Sequence, residues 1–117
     1  MQFTELKQDG YYRVVEATDG DFQAIVAIHN INLGIALGGC RVMPYEDRDS
    51  QLKDALRLSK GMTYKNALAG LKCGGGKATI NSLLATVDVL DKFAKVMDYI
   101  NKDGTVYITA GDVGTGP

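Results

Sequence analysis

The sequence predicts a single α/β domain, on three observations. Its 117 residues fit one ordinary domain. Two β-rich runs near the start are joined by a turn signal. The second half then alternates helix patterns with strand patterns, the order expected of a layered α/β fold.

The elements follow in order. Tyr11 to Ala17 is rich in Tyr and Val and reads as a strand. Thr18-Asp19-Gly20-Asp21 is the turn, and Phe22 to His29 is the return strand. The run Ala24 to Ile28 is apolar without alternation, which predicts burial on both faces. A further extended segment, about Ile35 to Met43, contains Gly38 and Gly39. Glycines inside a strand pattern mark a bulge or a close approach to the backbone.

Asp49 to about Ala69 reads as the first helix, with Leu52, Ala55, Leu56, Ser59, Met62 and Thr63 on one face. Asp47, Asp49 or Ser50 would cap its start, and Gly70 would stop it. Gly74 to Gly76 lead into a short strand, Lys77 to Asn81. The second helix is expected over about Leu83 to Lys102, its stripe being Leu83, Val87, Leu90, Ala94 and Met97. Asn101-Lys102-Asp103-Gly104 closes it, Thr105 to Thr109 is a last strand, and a Gly-rich tail runs from Ala110 to Pro117.

Composition narrows the function classes. Hydrophobic residues are 45% and charged residues 23%, a normal globular mix with enough apolar content for a real core. The net charge is -1, and no run of one sign points to nucleic acid or an anionic membrane. No apolar run has the length of a transmembrane helix, and Met1 to Asp9 is too polar for a signal peptide. Cys40, Cys73 and the single His29 are too few for a structural zinc site. Two reduced thiols in a cytosolic protein is the favoured reading, with a disulfide between them left open.

Of the 14 glycines, most fall into three groups: Gly34, Gly38 and Gly39; Gly70 and Gly74 to Gly76; Gly111, Gly114 and Gly116. The middle group fails as a nucleotide loop. A Walker pattern ending at Lys77 needs glycine at 71 and Ser or Thr at 78, where Leu71 and Ala78 stand. A dinucleotide fingerprint from Gly74 meets Thr79 at its final glycine, with a strand where a helix is required.

Another constellation fits better. Lys65 and Lys77 flank this glycine group. Bare backbone admits a small ligand closely, and an ammonium pairs a carboxylate. A lysine in a dry pocket beside another cation works as a base near neutral pH. Asp112 follows the last strand, where α/β sheets usually bind ligands. By spacing alone the competing reading is the blander one: solvated lysines, a plain glycine turn and an aspartate that caps a helix. Lys53, Lys60, Lys72, Lys92, Lys95 and Lys102 are read as solvated surface residues.

Three blocks carry a resemblance. Asp54 to Lys77, with its Met-Thr-Tyr-Lys-Asn and Gly-Gly-Gly-Lys elements, closely resembles leucine and phenylalanine dehydrogenases. So do Ile35-Ala-Leu-Gly-Gly-Cys-Arg-Val-Met43 and Tyr107-Ile-Thr-Ala-Gly-Asp-Val-Gly-Thr115, and the hairpin Phe22 to Asn30 is similar to their early strands. The likeness covers essentially the whole chain, in order, and points to the N-terminal substrate and dimerisation domain of the Glu/Leu/Phe/Val (amino-acid) dehydrogenase family.

That resemblance implies a three-layer domain with a mixed sheet and flanking helices. It implies reversible oxidative deamination of an L-amino acid to a 2-oxo acid and ammonia, with NAD or NADP as cofactor. It assigns Gly38, Gly39 and Met62 to the substrate pocket and Lys65 to the α-carboxylate. Lys77 becomes the catalytic lysine that activates water, and Asp112 the aspartate that exchanges protons with the amine. It also implies a homo-oligomer in the cytoplasm, with an amino acid and no nucleic acid or membrane as partner. The C-terminal nucleotide-binding domain of the family is absent from residues 1–117, so this stretch alone is expected to be inactive and to bind no cofactor. Without an evident extra cation near Met62, an apolar substrate is favoured over glutamate. Two departures stand out: Gly111 replaces a usual acidic residue, and Ile80 to Leu90 lacks a charged insert. A non-catalytic dimerisation or binding module of the same fold is the alternative.

Overall fold

The computed structural model describes residues 1–82 and 88–110. Its elements are β1 (Gln2–Leu6), β2 (Arg13–Asp19), β3 (Phe22–Asn30), β4 (Ala36–Met43), α1 (Arg48–Leu68), β5 (Gly74–Asn81), α2 (Val89–Ile100) and β6 (Tyr107–Ala110). The strands form one six-stranded sheet in the order β1-β2-β3-β5-β4-β6. β1, β2, β3 and β5 are antiparallel in sequence, while β4 runs parallel to both β5 and β6. The sheet is therefore mixed, with a helix on each face, as expected for three layers.

The β2–β3 hairpin forms where its turn chemistry places it. Asp19 pairs Phe22 across a two-residue turn, and Gly20 takes φ +58 as its first residue. Ala24 to Ile28 are at most 1% exposed, so both faces of β3 are covered. On one face Val14, Ile25 and Ala27 meet Ala55 of α1, with Leu52 and Leu56 beside them. On the other, Val15, Phe22, Val26, Ile28 and Ile80 meet Val96 and Ile100 of α2. Fully burying each such side chain contributes roughly 1.5–3 kcal/mol.

Asp47 is the cap of α1: its carboxylate accepts from Ser50 N at 2.7 Å. The helix closes at Gly70, φ +76, where Gly70 N donates to Ala67 O and Leu71 N to Asn66 O. Its buried face holds Ala55 and Ser59 as expected, but also Gln51 and Asn66. Gln51 Nε2 donates to Thr79 O at 3.2 Å, so this interface carries polar ties as well as apolar contacts.

The structure adds one strand to the sequence expectations and corrects three of them. The first nine residues contain a strand, β1, which pairs β2; Phe3 stacks on Tyr99 with centroids 3.9 Å apart, and Glu5 pairs Arg13 at 2.8 Å. Gly74 to Gly76 lie inside β5 rather than before it, and every residue of that strand is buried. The buried face of α2 is Val89, Phe93, Val96, Met97 and Ile100. Leu90 is 76% exposed and Ala94 is exposed; Leu83 and Val87 lie outside the described residues. Two neighbouring stripes share the helical period, and the one carrying Phe93, Val96 and Ile100 buries the larger apolar surface. Finally, Lys92 is half-buried, with Nζ 6.0 Å from the Phe22 ring centre and donating to Asp19 O at 3.3 Å.

Cys40, buried in β4, and Cys73, half-buried before β5, are not joined by a disulfide. Among the described residues no helix is long and apolar enough to cross a membrane.

Beside the sheet, Asp54 gathers three donors: Tyr45 Oη at 2.6 Å, Arg57 at 2.7 Å and Arg41 at 3.1 Å. Burial raises its pKa, but the Tyr45, Arg57 and Arg41 hydrogen bonds outweigh it and hold the carboxyl below the usual range. A carboxylate depressed on folding stabilises the protein above its unfolded pKa, and the contribution is lost as pH falls through the folded pKa. Asp54→Asn should therefore cost about 1–3 kcal/mol at neutral pH. In urea unfolding that deficit should shrink as pH falls below about 4. An equal deficit in acid would contradict the ionic role.

Candidate functional site

The described residues singled out by sequence lie on β4, β5 and the last turns of α1. Gly38 and Gly39 are buried in β4. The parallel register Leu37↔Gly75 and Cys40↔Ala78 sets them beside Gly76 and Lys77 of β5. Lys77 is 7% exposed and pairs Ala27, which belongs to the cluster under α1, so its side chain leaves the sheet on the α1 side. From above, Met62 Cγ comes within 3.4 Å of where a Cβ on Gly38 would stand. Met62 is half-buried, and Lys65, one turn on, is exposed. β6 ends at Ala110, which pairs Gly39; Asp112 lies outside the described residues.

Each glycine of β5 makes room for a different neighbour. A Cβ at Gly74 would fall 1.5 Å from Asn30 O, and one at Gly75 would fall 2.2 Å from Thr63 N and 2.5 Å from Ser59 O. One at Gly76 would strike the Tyr107 ring at 2.7 Å. The run is thus a strand pressed by β3 on one edge, α1 above and Tyr107 below. Tyr107, fully buried, donates its hydroxyl to Gly38 O at 3.1 Å and Gly39 O at 3.2 Å. It bridges the two glycine stretches from the α2 side.

Polar contacts fix α1 over the glycines. His29 Nδ1 lies 2.8 Å from Thr63 Oγ1, and the ring meets Tyr11 edge-on at 5.0 Å. Burial, and then the nearby charge of Lys60, lower the His29 pKa, favouring the neutral imidazole. Asn66 Nδ2 donates to Gly74 O at 2.8 Å and to Leu37 O at 3.2 Å. Sequence reasoning passed over Asn66, His29 and Tyr107 and read Thr63 only as part of the stripe. Their signal was polar residues at positions 59, 63 and 66, the spacing of a buried face.

The glycine run offers no cradle for a dinucleotide. Its backbone is paired in the sheet on both edges and buried, and the strand runs on from it to Asn81 where a dinucleotide loop would open a helix. An apolar cavity of about 430 Å³, lined by Cys40, Val42, Ile80, Val89, Leu90, Phe93 and Thr109, lies on the α2 side, away from Lys77. The lysine side of the sheet instead combines a buried lysine, an exposed lysine and strands bare of side chains, which suits a small carboxylate ligand.

Known proteins resemble this chain in sequence and fold. The chain is 43% identical to a leucine dehydrogenase of Bacillus subtilis, over 97% of its own length and 32% of the relative's. It is 40% identical to an L-tryptophan dehydrogenase of Nostoc punctiforme, over 98% of its own length and 33% of the relative's. The crystal structure of the Nostoc punctiforme enzyme superposes with a TM-score of 0.80 at 41% identity, covering 92% of this chain and 32% of that one. A hetero-hexameric glutamate dehydrogenase of Thermus thermophilus shares the fold, with a TM-score of 0.61 at 23% identity, covering 97% of this chain and 27% of that one. The chain thus spans about a third of the length of the curated relatives it matches. Residues 10–117 match the family described as Glu/Leu/Phe/Val dehydrogenase, dimerisation domain, and the chain belongs to that family.

Proposed function

We propose that this domain forms the substrate side of an amino-acid dehydrogenase that oxidatively deaminates an apolar L-amino acid. The observation that carries the reading is the buried Lys77 on β5 beside Gly38–Gly39 of β4, with Met62 of α1 packed against Gly38. In this reading Lys65 pairs the α-carboxylate, and the bare glycine backbone lets the α-carbon approach. Met62 supplies an apolar wall. Lys77 takes a proton from the water that adds to the imine and stabilises the oxygen as negative charge develops there. Asp112 exchanges the amine proton, so that ammonia leaves and a 2-oxo acid remains.

NAD or NADP would supply the hydride acceptor in the complete enzyme, while the residues of this domain hold the amino acid and move its protons. The relatives named for leucine, tryptophan and valine favour an apolar substrate. The family's description as a dimerisation domain supports a second copy of this chain as partner. Two cysteines outside any disulfide accord with a reducing, cytoplasmic setting.

The test is steady-state oxidation of leucine, valine, phenylalanine, tryptophan and glutamate by the complete enzyme, followed as nicotinamide reduction. Turnover of at least one apolar amino acid with release of ammonia, in preference to glutamate, is expected. No turnover of any of them would leave the domain as a dimerisation module alone.

A further inference from the structure

We infer that Asn66 is the positioning residue that sets Lys65 over the glycine strands. This rests on the function proposed above. Asn66 follows Lys65 directly, yet it is 4% exposed while Lys65 faces outward. Its amide donates to Gly74 O at 2.8 Å and Leu37 O at 3.2 Å. Leu37 immediately precedes Gly38–Gly39, and Gly74 opens the run that ends in Lys77. One side chain therefore ties the turn of α1 that carries the carboxylate lysine to both strands of the site.

The glycines make such a tie necessary. Helix position on a sheet is ordinarily set by side chains interlocking across the interface. Gly38 and Gly75 remove those side chains where α1 crosses, and Met62 and Thr63 rest against nearly bare backbone. Directional hydrogen bonds replace the missing interlock. Thr63, bonded to His29, holds the helix two residues before Lys65, and Asn66 holds it one residue after. A leucine at 66 would fill the same volume without fixing that register. A shift of about 1 Å in a positioned group can cost about 100-fold in rate, so the register matters to binding.

The experiment is Asn66→Leu in the complete enzyme, compared with Lys65→Ala and the double variant. Asn66→Leu should raise KM for the amino acid about tenfold or more, and raise Ki for a 2-oxo acid equally. KM for the nicotinamide cofactor should stay within about twofold. In the Lys65→Ala background the same change should have little further effect, because both act through one contact. If Asn66→Leu does not fold, Asn66→Ser, which keeps a shorter donor, should give an intermediate rise in KM. A fall in kcat with KM unchanged would make Asn66 purely structural and overturn the inference. So would full additivity with Lys65→Ala. An unchanged KM in Lys65→Ala itself would overturn the proposed carboxylate site instead.

Discussion

Lys77→Ala should lower turnover of the complete enzyme by about 1,000-fold, within the range for loss of a general base, while the fold survives. Lys77 is 7% exposed on a strand whose every residue is buried, a placement unusual for lysine without a purpose. Lys77→Met separates chemistry from packing, because it refills the volume without the ammonium. Both variants should bind the amino acid with KM changed far less than kcat, since Lys65 remains. They should also melt near the parent. Near-normal turnover in Lys77→Met would show that the ammonium takes no part in the reaction.

Gly74→Ala should destabilise the domain by about 3 kcal/mol or more, through overpacking against backbone. The added methyl would fall 1.5 Å from Asn30 O, where the end of β3 meets the start of β5 between the outer strands of the sheet. Gly61→Ala supplies the contrast. Gly61 lies inside α1 with nothing within 4 Å of an added Cβ, so alanine there should stabilise by about 0.5–1 kcal/mol. Urea unfolding of the two variants reads both signs. Equal effects at the two positions would contradict the close packing of β3 on β5.

The hairpin and α1 were legible in the sequence because their signals are local. Gly20 supplies the one positive φ of a tight turn, and Asp47 caps a long helix. β1 was not legible, because a short polar edge strand gains its order from Phe3 on Tyr99 and Glu5 on Arg13, partners distant in sequence or across the hairpin. By sequence the three glycines only lead into the strand Lys77 to Asn81, because glycine weakens strands by propensity. Only the approach of Asn30, Thr63 and Tyr107 makes three consecutive glycines the residues that fit. The α2 stripe was misread by one helical row, since the sheet surface, and not the period, chooses between neighbours.

The site shows the same division. Spacing marked Lys65 and Lys77 as a pair but favoured solvated lysines; the matched blocks gave them roles. The structure adds what neither could: Lys77 is buried on the α1 side, whereas Lys65 stands outside, held by anchors at 63 and 66. Lys92, also read as solvated, instead lays its stem along Phe22 and serves packing. Asp112 keeps its proposed role by its place in the sequence, two residues beyond the end of β6.

The most direct measurement is a crystal structure of the complete enzyme with its amino acid bound. The carboxylate should lie within hydrogen-bond distance of Lys65 Nζ, with the α-carbon over Gly38–Gly39 and facing Lys77 Nζ. An amino acid seated instead in the apolar cavity beneath α2, or out of reach of both lysines, would contradict the site.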